Sequence, residues 1–283
     1  MDKNIPDKIL QEVSIFPSMP KAVMKLRTLL AKEEVSVEEI EKILRQDPGL
    51  AANVLRLANS PFFGLPSKVG TLKHAVTLLG IKRFSKIAVG ACMDKTMEVA
   101  VPGYGLSAGE LWLHSIAVSN TAEALARYRK LDEAGDYFTP ALLHDLGKLV
   151  LANFVNKARP EIDDLLAKGV PLVIAEKEVL GTDHAEIGAL ILGKWSFPKV
   201  LINAVRWHHY PEAMADSSLH SEIVYLANLM CQSNVDSGSE GDQSNAPYSS
   251  VLERLGLKPE QYFAFAERTR SWQEKLSETL VLE

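Results

Sequence analysis

Ser36-Val37-Glu38-Glu39-Ile40-Glu41-Lys42-Ile43-Leu44-Arg45-Gln46-Asp47-Pro48-Gly49-Leu50 carries the punctuation that decides the fold. Ser36 and Glu39 have the spacing of a capping box, in which each side chain takes a backbone N–H left free by the first helical turn. Val37, Ile40, Ile43 and Leu44 then recur at helical spacing until Asp47-Pro48 interrupts them. A second helix begins at the proline, with Leu50, Val54, Leu55 and Leu57 as its buried face. Asn59-Ser60-Pro61 with Gly64 and Pro66 then reads as a loop that no helix continues through.

The same reading extends in both directions. Helical segments are expected over 17–31, 71–79, 81–97, 107–130, 137–153, 160–168, 171–180, 183–194, 198–208, 217–232 and 259–280. Nowhere is apolar/polar alternation sustained as a strand requires, and no Asn-Gly or Asp-Gly hairpin turn occurs. The chain is expected to be all-α. Pro102-Gly103-Tyr104-Gly105 marks a break, so an N-terminal helical part over 1–103 is expected to precede a second helical part over 104–283. Within the latter, 233–250 is too polar and too rich in Gly and Ser to bury and is expected to be a mobile loop.

Composition bounds the function. The 283 residues are 47% hydrophobic and 24% charged, as in a well-cored globular protein. A formal net charge of −5 argues against a surface dedicated to nucleic acid, which needs clustered Lys and Arg to release counterions. Proteins or small anions are the expected partners. Cys92 and Cys231 are far apart, so neither a disulfide framework nor a thiolate zinc site is indicated. With no signal-like N-terminus and no apolar run of membrane-spanning length, a cytoplasmic protein without membrane contact is expected.

Five of the seven histidines fall in a series with carboxylates: Glu110 and His114, His144-Asp145, His184, and His208-His209. Imidazoles and carboxylates together are ligands for divalent metals. Glu110 and His114, four apart, share one helical face and read either as two ligands or as an ordinary surface pair. His144-Asp145 is flanked by Leu142, Leu143, Leu146 and Leu149, which predicts burial; a buried carboxylate needs a partner, and a metal would supply one. His184 lies in a first helical turn beside Asp183, and it reads as a ligand or as an exposed neighbour of the cap. Adjacent helical side chains diverge by about 100°, so His208 and His209 serve one cluster only if they meet different metals or the helix ends between them. His74 and His220 have no carboxylate at ligand spacing and read as structural or surface residues.

His114, His144-Asp145-Leu146-Gly147-Lys148 and the late Val224-Tyr225-Leu226-Ala227-Asn228 resemble the HD superfamily of metal-dependent phosphohydrolases, an all-helical fold. With Glu110, His184, His208 and His209 the set looks like the ligands of the HD-GYP branch, which hydrolyses cyclic di-GMP. Phe16-Pro17-Ser18-Met19-Pro20, Gln46-Asp47-Pro48-Gly49-Leu50, Val54-Leu55-Arg56-Leu57-Ala58-Asn59-Ser60 and Ala75-Val76-Thr77-Leu78-Leu79-Gly80-Ile81-Lys82-Arg83 are similar, in that order, to the HDOD family. That match covers roughly 12–215.

The resemblance implies a bacterial signal-transduction module that binds a protein partner, with a nucleotide as a further ligand. Leu65-Pro66 and Ile81-Lys82-Arg83-Phe84 are candidate parts of the partner surface. It implies a site for divalent metal, two ions of iron or manganese. The alternative is a phosphohydrolase or phosphodiesterase acting on a nucleotide or cyclic dinucleotide, with Asp145 bridging the metals and Lys148 stabilising developing negative charge. There are two departures. Asn228 stands where an HD enzyme has its last metal-binding aspartate, and the glycine-rich run that follows the paired histidines in the HD-GYP branch is missing. Specificity for cyclic di-GMP is therefore not implied.

Overall fold

The computed structural model describes residues 5–17, 19, 21–30, 35–44, 48–60, 63, 65, 67–131, 134–213, 218–232 and 248–280. These form helices and turns and, among the described residues, no strand. A lone antiparallel bridge between Val101 and Leu106 closes the turn around Pro102–Tyr104. The chain divides into two compact units, one of residues 18–98 and 271–283, the other of residues 1–17 and 99–270.

In the first unit α2 (Lys21–Leu30), α3 (Val37–Leu44), α4 (Pro48–Ala58), α5 (Leu72–Leu79) and α6 (Ile81–Met97) follow one another. The capping box at α3 forms as read: the Ser36 N–H donates to Glu39 Oε2 at 3.2 Å, and the Glu39 N–H donates to Ser36 Oγ at 3.2 Å. Leu50, Val54 and Leu57 of α4 are buried, and α4 packs on α6. The loop after α4 is closed by Asn59, whose side-chain amide donates to the Val69 carbonyl at 2.8 Å while its oxygen accepts the Val69 N–H at 2.7 Å. Arg83 donates to the Phe63 carbonyl at 2.8 Å, and Phe84 is fully buried, so Phe84 drops out of the surface expected to meet a partner.

The second unit begins with a helix that the sequence reading did not anticipate, α1 (Ile5–Ile15), which buries Ile9 and Val13. The remainder runs α7 (Glu110–Tyr128), α8 (Phe138–Leu143), α9 (Gly147–Lys157), α10 (Arg159–Ala167), α11 (Leu172–Leu180), α12 (His184–Lys194), α13 (Lys199–Arg206), α14 (Leu219–Cys231), α15 (Ser249–Arg254) and α16 (Pro259–Leu280). The last of these runs past the division at Arg270. Against the side-by-side packing of α7 and α14, Leu125, Ile223, Leu226, Leu252 and Tyr262 build a continuous apolar core. α9, α12 and α13 pack in succession. Lys194 ties α1 down by donating to the carbonyls of Val13, Ser14 and Phe16 at 3.2, 2.6 and 2.9 Å, and Trp195 Nε1 donates to the Pro17 carbonyl at 3.1 Å.

Two elements differ from expectation. The single helix expected over 137–153 is two, α8 and α9, separated by a turn at 144–146. Of the stretch expected as a mobile loop, 233–247 lies outside the described residues, while Ser249 and Ser250 already belong to α15. The compact units divide between Glu98 and Val99, and residues 1–17 group with the later part of the chain because α1 packs on α9 and α12. No described helix is long and apolar enough to cross a membrane.

Candidate metal centre

Two short helices end in the same way, and each delivers a histidine. α8 stops at Leu143 and α13 at Arg206, leaving terminal carbonyls without intrahelical donors. The His144 ring turns back and donates Nδ1–H to the Ala141 carbonyl at 2.7 Å; His208 does the same to the Val205 carbonyl at 2.6 Å. Both bonds fix the tautomer, leaving Nε2 with its lone pair directed away from the helix. Both Nε2 atoms are buried without a hydrogen-bond partner.

Because α13 has ended by Arg206, His208 and His209 are not bound to helical divergence, and both turn to the same place. His184, His208 and His209 each bring a ligand atom to within 4.8 Å of the others. His184 is the first residue of α12, which Asp183 caps by accepting the Glu186 N–H at 2.8 Å. Far from being an exposed neighbour of that cap, His184 is buried. Its Nδ1–H and its backbone N–H both donate to Glu176 Oε2 on α11, at 2.7 and 2.8 Å. Its Nε2 lies 2.8 Å from His209 Nε2.

A second group of the same dimension comprises His114, His144 and Asp145. Asp145 stands between the two. Its Oδ2 is 3.3 Å from His144 Nε2 and 3.7 Å from His114 Nε2, whereas its Oδ1 is 3.4 Å from His184 Nε2 and 3.8 Å from His208 Nε2. The Lys148 ammonium, from the second residue of α9, sits 2.6 Å from Oδ2 and 5.5 Å from the centre of the Tyr104 ring. Asn228 on α14 accepts from His114 Nε2–H through Oδ1 at 3.0 Å.

Close backbone approach makes this convergence possible. A Cβ on Gly147 would fall 1.9 Å from the His184 carbonyl oxygen and 2.7 Å from the Gly188 nitrogen, so only glycine lets the start of α9 rest on the start of α12. Gly103 does likewise for the Pro102–Tyr104 turn, where a Cβ would lie 2.2 Å from the Ala152 carbonyl oxygen. That turn places Tyr104 edge-on against His184.

The electrostatics disfavour the charged form of His114, His208 and His209 and favour the charged form of Asp145 and Glu176. Burial and the neighbouring His144 lower the His114 pKa to about 3. Burial holds His208 and His209 well below the usual imidazole range, with the adjacent imidazoles adding to the effect. For Asp145 burial favours the neutral acid, but His144, Lys148 and His184 outweigh it and hold the carboxyl well below its ordinary value. Glu176 is likewise lowered, burial being overcome by the His184 bonds, while burial and Glu176 raise the Tyr104 phenol.

The donor set suits a divalent metal. An unpaired buried acceptor costs about 1–3 kcal/mol; here His144 Nε2, His208 Nε2 and Asp145 Oδ1 are all left so, in the space that other imidazole nitrogens face. Cations held between these groups would satisfy all three. Of the residues singled out from sequence, His114, His144, Asp145, His184, His208, His209 and Asn228 are brought together, with Lys148 beside them. Glu110 is not: it is exposed at the start of α7, and its carboxylate accepts the Ser107 N–H at 2.6 Å. Its spacing from His114 made it look like a ligand, but its first-turn position gives it a capping role instead. His74 is exposed, and His220 stacks on Tyr137 at 4.3 Å, both outside the groups. Glu176 was missed, although it shares an i, i+3, i+7 face with the buried Val173 and Leu180.

The HDOD domain model matches residues 16–211. The chain belongs to the HDOD family. An HDOD domain protein of unknown function from Geobacter sulfurreducens superposes with a TM-score of 0.78 at 23% identity, covering 98% of this chain and 97% of that one. A "Putative phosphohydrolase" from Shewanella amazonensis SB2B superposes with a TM-score of 0.77 at 25% identity, covering 96% and 97%. A curated Treponema pallidum protein without a characterised role is 23% identical over 225 residues, which are 78% of this chain. The HDOD chain described here spans 43% of that relative's length.

Proposed function

We propose that the chain is a signal-transduction module of the HDOD type whose second unit holds two divalent metal ions, with Asp145 between them. One observation carries this reading: the two oxygens of a single buried carboxylate face different histidines, Oδ2 towards His144 and His114, Oδ1 towards His184 and His208. His144 and His208, whose Nε2 atoms are buried without a partner, stand on either side of one carboxylate, as two ligand sets sharing a bridge would. His114, His144 and Asn228 would serve one ion, and His184, His208 and His209 the other. Iron or manganese is the expected metal. A module of this kind would report metal or nucleotide occupancy to a protein partner.

A second reading, a phosphohydrolase or phosphodiesterase, is favoured by Lys148. Divalent ions polarise phosphoryl oxygens and lower the pKa of bound water towards neutrality. Lys148, held 2.6 Å from Asp145, would set a fixed positive charge beside a phosphate in that place. Against it stands Asn228, whose amide brings no charge.

Elemental analysis of anaerobically purified, chelator-free protein tests the site, with more than one equivalent of metal per chain expected and less than about half an equivalent contradicting it. Screening the same sample against phosphodiesters and nucleotides decides between the readings. Robust turnover by the wild-type chain would overturn the signalling assignment.

A further inference from the structure

The imidazoles around Asp145 are anchored from behind, and the anchors differ in charge. His144 and His208 donate to neutral backbone carbonyls. His184 donates to a carboxylate, and the same Glu176 oxygen takes its backbone N–H as well. Two bonds to one oxygen fix both the entry of the chain into α12 and the rotation of the ring. Glu176 is fully buried and belongs to neither group of converging ligand atoms. Burying a carboxylate is costly unless it is held by hydrogen bonds. A carboxylate behind a ligating imidazole raises the basicity of the opposite nitrogen.

The other group is arranged differently. His114 Nε2, the nitrogen that faces Asp145, is already engaged by the neutral Asn228 amide at 3.0 Å. Lys148 places its ammonium 2.6 Å from Asp145 Oδ2, on the side of His114 and His144. A metal entering there meets a fixed cation and must displace a hydrogen bond. On the Oδ1 side a metal must likewise displace the 2.8 Å contact between His184 Nε2 and His209 Nε2, but there the negative charge of Glu176 lies directly behind His184.

We propose that Glu176 is a positioning residue that makes the His184, His208 and His209 group the first to take up metal, the His114, His144 and Asp145 group filling second. The inference rests on the metal-binding reading above.

Zn(II) titrated into the chelator-stripped full chain, labelled with 15N-histidine, reads the order directly. The first equivalent should shift the ring nitrogens of His184, His208 and His209, and the second those of His114 and His144. Glu176→Ala should weaken the first binding step by about 10–100-fold, as loss of an outer-sphere carboxylate does at other metal sites, and leave the second step unchanged. Glu176→Gln, which can still accept both hydrogen bonds but carries no charge, should fall between Ala and wild type. If Glu176 serves the fold alone, both variants will melt lower without metal yet keep the wild-type first dissociation constant, and the proposal fails. It fails equally if His114 and His144 respond first in the wild-type protein, a result that needs no variant to fold. Uptake of two ions with the same first dissociation constant in wild type and variants would remove this inference and leave the metal site standing, whereas no uptake by wild type removes both.

Discussion

The two units bury polar groups in opposite ways. In the unit of residues 18–98 the buried polar side chains among those described are Ser60 and Ser85, each donating to a carbonyl three or four residues back, Leu57 at 2.8 Å and Ile81 at 2.6 Å. In the other unit His144, Asp145, Glu176, His184, His208 and Asn228 are buried together, drawn from several helices and the turns that follow them. All the described buried side-chain atoms without a partner lie in this second unit. Where a chain has only to fold, its buried polarity is settled locally; convergence of unpaired atoms from distant parts of the sequence marks a place shaped for something else.

Asp145→Asn should break this contrast most severely, because it keeps the volume and removes the charge common to both histidine groups. Metal content should fall below one equivalent. The metal-linked stability, about 2.7–4.1 kcal/mol when free metal is 100–1,000 times the dissociation constant, should vanish. Melting curves with and without chelator would then coincide for the variant but not for wild type; a variant that still responds to chelator as wild type does would show that the carboxylate is not a ligand.

Glycine substitutions sharpen the comparison at the next scale. Gly147→Ala drives a methyl into the His184 carbonyl and should cost about 1–3 kcal/mol while loosening metal binding. In the other unit an added Cβ on Gly70 meets nothing within 4 Å, and Gly70→Ala should be neutral or stabilise by about 0.4–1 kcal/mol. Equal losses in urea denaturation would mean that the close approach of α9 and α12 has no special role.

Protons should distinguish the units as well. His114, His208 and His209 have folded pKa values below that of the unfolded chain, near 6.5. As pH falls below about 6.5, the unfolded state therefore binds protons that the folded state refuses, and stability declines. For His114 this continues to a pH of about 3. Asp145 and Glu176, also lowered, add a loss of the same sign beginning near the ordinary carboxylate range. Chelated protein should lose roughly 1.4 kcal/mol per pH unit for each histidine involved. A flat urea midpoint between pH 6.5 and 5 would contradict neutral buried imidazoles. The smallest effect belongs to His74→Ala: at this exposed site stability should change by less than about 0.5 kcal/mol, with metal content intact.

Much of this was legible in the sequence, and the exceptions have physical causes. The capping box at Ser36, the proline start of α4 and the periodic helices are local signals, and the folded chain uses them. The turn at 144–146 was not legible, since Leu142, Leu143, Leu146 and Leu149 suit one continuous helix, and only the ring of His144 bonding back to Ala141 shows where α8 stops. α1 went unread although Ile5, Ile9 and Val13 recur at i, i+4 and i+8, because the segment is short and its anchor, Lys194, lies far along the chain. Glu176 sits in Glu176-Lys177-Glu178, which reads as solvated charge. Glu110 erred the other way: spacing put it beside His114, but a carboxylate in a first turn finds the free N–H of Ser107 closer to hand.

The clasp of Lys194 on α1 sets an order of events during synthesis. Ser14 and Lys194 are 180 residues apart, and at translation speeds of about 5–20 residues per second α1 emerges roughly 9–36 s before its anchor. Through that interval Ile9 and Val13 have no α9 or α12 to cover them, so the segment made early is the one that docks late. Ribosome-bound chains halted before Lys194 should be cut by protease within 5–15, and chains released beyond it should be protected there.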